Sequence, residues 1–176
     1  MNVAMVITAL NIVCGITSIY FAILGNFFLA GMLILLGVFF DTIDGIYAYT
    51  HDQETDFGAE LDSLSDLVSF GMAPMVMIFT YYETPWLSAI AMLLPVFGAL
   101  RLARYNVTRL ETKGYLIGLP IGASGFIIPT LIALGSNEII IGVATMIVSV
   151  LYLSTFKVNK VMGSKRGVQK DPKTII

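Results

Sequence analysis

Apolar residues fall in six stretches, and polar or turn-forming residues punctuate every gap between them. The stretches cover residues 3–24, 27–49, 57–81, 86–106, 116–134 and 139–156. A helix rising about 1.5 Å per residue crosses roughly 30 Å of hydrocarbon in about 20 residues, so each stretch suits one span, the fifth only narrowly. The breaks carry Gly25-Asn26, residues 51–56, Glu83-Thr84-Pro85, residues 108–114 and Gly135-Ser136-Asn137. Only 12% of the residues are charged, where a soluble domain carries about 25%. With a mean hydropathy of +0.85, the expectation is an all-α polytopic membrane protein of six transmembrane helices. Those helices would form one membrane domain over residues 1–156, followed by a basic tail over 157–176.

The basic residues orient the spans. All ten Lys and Arg occur in two places. Arg101, Arg104, Arg109 and Lys113 close the fourth stretch and fill the loop after it, and the other six follow the sixth stretch. Six spans put both groups on one side, together with the N-terminus and the loop between the second and third spans. Five or seven spans would divide them across the membrane. Positive charge marks the cytoplasmic side, so both termini and that loop are expected in the cytoplasm of a cell-membrane protein. No basic segment precedes the first apolar run, so a cleaved signal is not expected.

Against this background four carboxylates stand out: Asp41 and Asp44 in the second stretch, Asp62 and Asp66 in the third. A charge inside the membrane costs several kcal/mol unless it lines a polar cavity or meets a counterion. Asp41 and Asp44 are three residues apart and Asp62 and Asp66 four apart, so each pair shares one helix face. The two helices run antiparallel across a short loop, which lets the pairs converge near the cytoplasmic surface. Carboxylates gathered without matching cations repel one another strongly. A divalent cation resolves this, and an all-oxygen ligand set suits Mg²⁺ or Mn²⁺. Gly45 and Gly58 lie beside the pairs, where a missing side chain admits either a ligand or a neighbouring backbone.

Other polar residues read more plainly. Asp52, Glu54 and Asp56 belong to the cytoplasmic loop, with Asp56 a candidate N-cap for the third helix. His51 is expected to be a solvated loop residue, and the single Cys14 a small buried hydrophobe. Nothing in the chain points to nucleic acid as a partner.

The string Asp41-Thr-Ile-Asp44-Gly45-Ile-Tyr-Ala48-Tyr49, then the eight residues 50–57, then Gly58-Ala-Glu-Leu-Asp62-Ser-Leu-Ser-Asp66 resembles the signature of the CDP-alcohol phosphotransferase family. Each fixed position matches except one: Tyr49 stands where the family has Arg. Further segments look like the phosphatidylserine synthases within that family: Thr8-Ala-Leu-Asn11-Ile-Val-Cys14-Gly15, Ser69-Phe-Gly71-Met-Ala-Pro74, Arg101-Leu-Ala-Arg104-Tyr-Asn106 and Gly118-Leu-Pro-Ile.

The resemblance implies a six-helix transferase, usually a homodimer, acting on a CDP-linked lipid at the cytoplasmic membrane face. L-Serine would displace CMP from CDP-diacylglycerol or CDP-archaeol. By the same resemblance Asp41, Asp44 and Asp62 would hold two divalent ions, Mg²⁺ or Mn²⁺. Asp66 would act partly as a ligand and partly as the general base. Asn11, Gly45, Ala48, Tyr49 and Gly58 would line the CDP-lipid. Because the acceptor carries a carboxylate, Arg101 or Arg104 is a candidate to bind it bidentately, and Ser69 lies one turn past Asp66.

Two other readings use the same residues. Glycerol phosphate or inositol phosphate could serve as acceptor, which calls for a denser basic cluster and is separated by a side-by-side acceptor assay. Intramembrane aspartates also suit a small cation transporter. Cation flux in proteoliposomes that survives Asp62→Asn would mark that class.

Overall fold

The computed structural model describes residues 3–51, 55–108, 115–154 and 157–159. The helices are α1 (Val3–Ile23), α2 (Phe27–Thr50), α3 (Asp56–Asp66), a π-helical turn (Leu67–Met72), α4 (Ala73–Tyr82), α5 (Pro85–Ala91), α6 (Leu93–Thr108), α7 (Gly122–Ala133) and α8 (Glu138–Leu153). Two three-residue strands, β1 (Tyr115–Ile117) and β2 (Lys157–Asn159), pair antiparallel. The rest of the described chain is these helices and the short turns that join them.

Helix starts follow local chemistry. The Asn26 side chain accepts the Leu29 N–H and the Asn137 side chain accepts the Ile140 N–H, satisfying donors that a helix N-terminus leaves free. At the third helix the cap is Thr55, whose Oγ1 accepts the Gly58 N–H at 3.0 Å. Asp56 is therefore the first helical residue rather than the expected cap, where its charge suits the positive end of the helix dipole.

Prolines decide where the long spans change geometry. Pro74 sits just after the π turn and Pro95 just after the break at Met92. Each ring crowds the carbonyl four residues earlier and removes one N–H. The third span is thus α3, the π turn and α4 in one run, and the fourth is α5 with α6.

Among the described residues, four helical runs are long and apolar enough to cross a membrane: Val3–Ile23, Phe27–Ala48, Asp56–Tyr82 and Pro85–Thr108. The apolar helices α7 and α8 are shorter, at 12 and 16 residues. The fifth stretch falls short because its start is not helical. Residues 115–117 pair as a strand, Gly118 has φ +77°, and Pro120 precedes the helix.

Apolar side chains face both ways, as in a membrane protein. Phe28, Ile23, Leu134 and Ile139 are exposed, while Ile34, Phe70, Met77, Leu87, Leu94, Ile128 and Ile141 form the core. Phe70 is its pivot. A Cβ added at Gly125 would lie 2.5 Å from the Phe70 ring, so that glycine is required by close helix packing.

Candidate active site

The two signature pairs converge, but not as a symmetric set of four. Asp41 from α2 and Asp62 and Asp66 from α3 each offer a carboxylate oxygen, and these atoms all lie within 4.8 Å of one another. Asp44 stands apart from that trio. It is buried, and its Oδ2 accepts a 2.6 Å hydrogen bond from Thr8 Oγ1 on α1. The helical interval explains the split: three residues turn a helix by about 300°, so Asp44 is offset toward α1 while Asp41 looks at α3.

Asp62 Oδ1 and Asp66 Oδ1 are buried without any hydrogen-bond partner. Buried acceptors of this kind carry a large desolvation cost unless a cation meets them. The donor set is hard oxygen throughout, which fits a magnesium- or manganese-type ion.

Arg101 on α6 supplies positive charge to this cluster. It is 7% exposed, and its guanidinium interacts electrostatically with Asp41, Asp62 and Asp66. Its Nε has no hydrogen-bond partner, and the group lies over the Tyr105 ring, 5.5 Å from the centroid. Arg104, one turn on, is placed differently. Its fork donates to the carbonyls of Tyr152 (3.0 Å), Ser154 (3.1 Å) and Leu153 (3.2 Å) at the end of α8. Those bonds bind the C-terminus of α8, where cationic side chains are favoured.

The remaining candidates divide by surroundings. A Cβ at Gly45 would meet nothing within 4 Å, so close packing does not explain that glycine and the position is open to a ligand. At Gly58 the Cβ would approach the capping Thr55 Oγ1 at 3.0 Å. Ala48 is half-buried on α2, one turn past Gly45, and the Tyr49 side chain lies outside what the structure describes. Asn11 is wholly buried, its side-chain amide without a partner. Its carbonyl accepts the Ser69 hydroxyl at 2.9 Å, so Ser69 ties the π turn to α1. His51 stacks on Tyr47 with ring centroids 4.0 Å apart, closing the end of α2.

Several residues near the site went unsingled in the sequence. Thr8 was visible only as part of the Thr8-Ala-Leu-Asn11 string. Asn106 donates to Glu60 Oε2 (3.2 Å) and Ser63 Oγ (3.1 Å), joining α6 to α3. Ser124 and Tyr152, discussed below, carried no local signal at all, since a lone hydroxyl in an apolar stretch has no spacing to give it away.

Known proteins share this arrangement of sequence. A family model described as CDP-alcohol phosphatidyltransferase matches residues 1–155. The chain is 36% identical over 154 residues to the CDP-diacylglycerol–serine O-phosphatidyltransferase of Methanocaldococcus jannaschii, covering 88% of this chain and 72% of that protein. It is 31% identical to the Bacillus subtilis protein of the same name, covering 86% of each. It is 33% identical to the archaetidylserine synthase of Methanothermobacter thermautotrophicus, covering 89% of this chain and 69% of that one. With nearly the whole chain matched and the aspartate pairs drawn together, this protein belongs to the CDP-alcohol phosphatidyltransferase family.

Proposed function

We propose that this protein transfers the phosphatidyl group of CDP-diacylglycerol, or the archaetidyl group of CDP-archaeol, to the hydroxyl of L-serine with release of CMP. The observation that carries the reading is the trio of half-buried Asp41 and Asp62 with buried Asp66, beside a single interacting guanidinium, Arg101, among the described residues. Acceptors bearing a phosphate call for denser positive charge, and Arg104 is occupied at the end of α8. One carboxylate on the acceptor matches one guanidinium.

Asp41, Asp44, Asp62 and Asp66 would hold two divalent ions, Mg²⁺ or Mn²⁺. Such ions neutralise diphosphate oxygens and stabilise a leaving phosphate. Asp66 accepts the proton of the serine hydroxyl as that oxygen forms its bond to the lipid-bearing phosphorus. The bond from that phosphorus to the CMP oxygen breaks, and CMP leaves with the electron pair. A positioned carboxylate base contributes typically about 10²–10⁴-fold. Gly45, with open space around it, and Ala48 and Gly58 admit the cytidine nucleotide; Asn11 and Tyr49 belong to the same donor side. Arg101 holds the serine carboxylate, with Ser69 shaping the wall behind Asp66.

The same proposal covers topology and assembly. Six spans over residues 1–156 place the site and both termini at the cytoplasmic face of the cell membrane, with residues 157–176 as a basic tail. The working unit is a homodimer. Labelled serine appearing in lipid with CDP-diacylglycerol or CDP-archaeol, only with Mg²⁺ or Mn²⁺ present, is the expected result. Transfer to glycerol phosphate or inositol phosphate in place of serine would overturn the acceptor assignment.

A further inference from the structure

The π turn Leu67–Met72 begins at the residue after Asp66, and its widened geometry is seen where the Ala73 N–H reaches back to the Val68 carbonyl. Pro74 accounts for it. In a regular helix residue 74 would donate to the Phe70 carbonyl, but proline has no N–H and its ring crowds that oxygen. Single π turns of this kind recur at functional sites. The Phe70 carbonyl, inside the core, finds its donor elsewhere: Ser124 Oγ on α7, at 2.5 Å.

Ser124 is itself held. Tyr152 Oη on α8 lies 2.7 Å from Ser124 Oγ and 2.9 Å from the Ile121 carbonyl. Ser124 Oγ also lies 2.9 Å from the Ile121 carbonyl; with one proton per hydroxyl, its shorter contact assigns that proton to Phe70, and it receives from Tyr152. Both residues are fully buried. Tyr152 is fixed in turn by Arg104, which grips the carbonyls of Tyr152, Leu153 and Ser154. Gly118 at φ +77° lies against two of these carbonyls, where a Cβ would come within 2.9 Å of the Ser154 oxygen and 3.3 Å of the Tyr152 oxygen. A continuous polar chain thus runs from α6 through α8 and α7 into the turn that follows Asp66.

We propose that Tyr152 and Ser124 are positioning residues for Asp66: their hydroxyls replace the donor that Pro74 removes and fix the π turn that sets Asp66 against Asp41 and Asp62. This rests on the reading of Asp66 as a ligand and base. Tyr152 interacts electrostatically with Asp66, but its hydroxyl hydrogen-bonds to Ser124 and the Ile121 carbonyl rather than to the trio. Loosening the turn displaces the Asp66 carboxylate and weakens the ion-binding site, as loss of outer-shell support commonly does by about 10–100-fold.

The test is a Mn²⁺ titration of the purified full-length protein in detergent, read by electron paramagnetic resonance without substrates, beside the Mn²⁺ dependence of serine transfer. Tyr152→Phe and Ser124→Ala are each expected to raise the Mn²⁺ Kd and the half-activating Mn²⁺ concentration by about 10-fold, and the double variant by no more than either alone. Thr145→Val removes another buried α8 hydroxyl, one without a partner, and should leave both unchanged. A lowered folded fraction would reduce the number of sites without moving Kd. Should Tyr152→Phe fail to purify, Ser124→Ala decides. Wild-type Kd in these variants overturns the positioning role while leaving the functional reading intact. A wild-type protein that binds Mn²⁺ but does not transfer serine overturns the acceptor reading alone, and one that binds no Mn²⁺ overturns both.

Discussion

Thr8 Oγ1 donates a 2.6 Å hydrogen bond to Asp44 Oδ2, joining the first helix to the signature on the second. The bond is buried, and it holds the Asp44 carboxylate against α1. Thr8→Val keeps the shape and removes the donor. A hydrogen bond to a charged group contributes about 1.5–3 kcal/mol, so a lower melting temperature in detergent is expected. Serine transfer should fall by about 10-fold. Unchanged melting and turnover would show that Asp44 is held by something else.

Asp62→Asn keeps the volume of a half-buried side chain and halves its ligand capacity. If the trio holds divalent ions, turnover should drop by on the order of 10³-fold and not recover at high Mg²⁺ or Mn²⁺. Asp44→Asn is expected to behave the same way. Circular dichroism and size-exclusion profiles should stay like wild type, since neither change empties a core volume. Recovery of most activity with added metal would contradict the assignment.

Gly45 and Gly125 separate ligand approach from packing. A Cβ at Gly45 meets open space, whereas at Gly125 it meets the Phe70 ring at 2.5 Å. Gly45→Ala should stabilise the helix by roughly 0.5–1 kcal/mol yet raise the KM for the CDP-lipid several-fold. Gly125→Ala should do the reverse, costing about 1–3 kcal/mol through overpacking. Thermal melts and KM measurements on the two variants check both halves.

Arg101→Lys retains charge but loses the planar fork. Lysine does not reproduce bidentate carboxylate binding, so the KM for serine should rise by about 10-fold or more. The KM for the CDP-lipid should stay within about twofold. Arg101→Gln also removes the charge facing Asp41, Asp62 and Asp66. Because it leaves buried carboxylates uncompensated, it should lower stability as well. Equal changes in both KM values would place Arg101 outside the acceptor site.

Removing divalent ions with a chelator should abolish transfer and lower the melting temperature, because a ligand that binds only the folded state stabilises it. Mn²⁺ or Mg²⁺ should restore both. A melting temperature indifferent to chelator and metal alike would argue against a resident ion.

The sequence by itself determined the membrane class, the aspartate faces and the family. Those properties live in composition, in 3.6-residue periodicity and in fixed motif spacing, all of which are local. Tertiary structure decided the rest. It grouped Asp41 with Asp62 and Asp66 and gave Asp44 to Thr8. It sent Arg101 to the carboxylates and Arg104 to the end of α8, though the two lie three residues apart in one string. It shortened the fifth helix by pairing residues 115–117 as a strand. It also brought Tyr152 and Ser124, remote in sequence, to the Phe70 carbonyl that Pro74 leaves short of a donor. Each of these outcomes depends on which side chain a packed neighbour presents, and periodicity within one helix carries no information about the face of another.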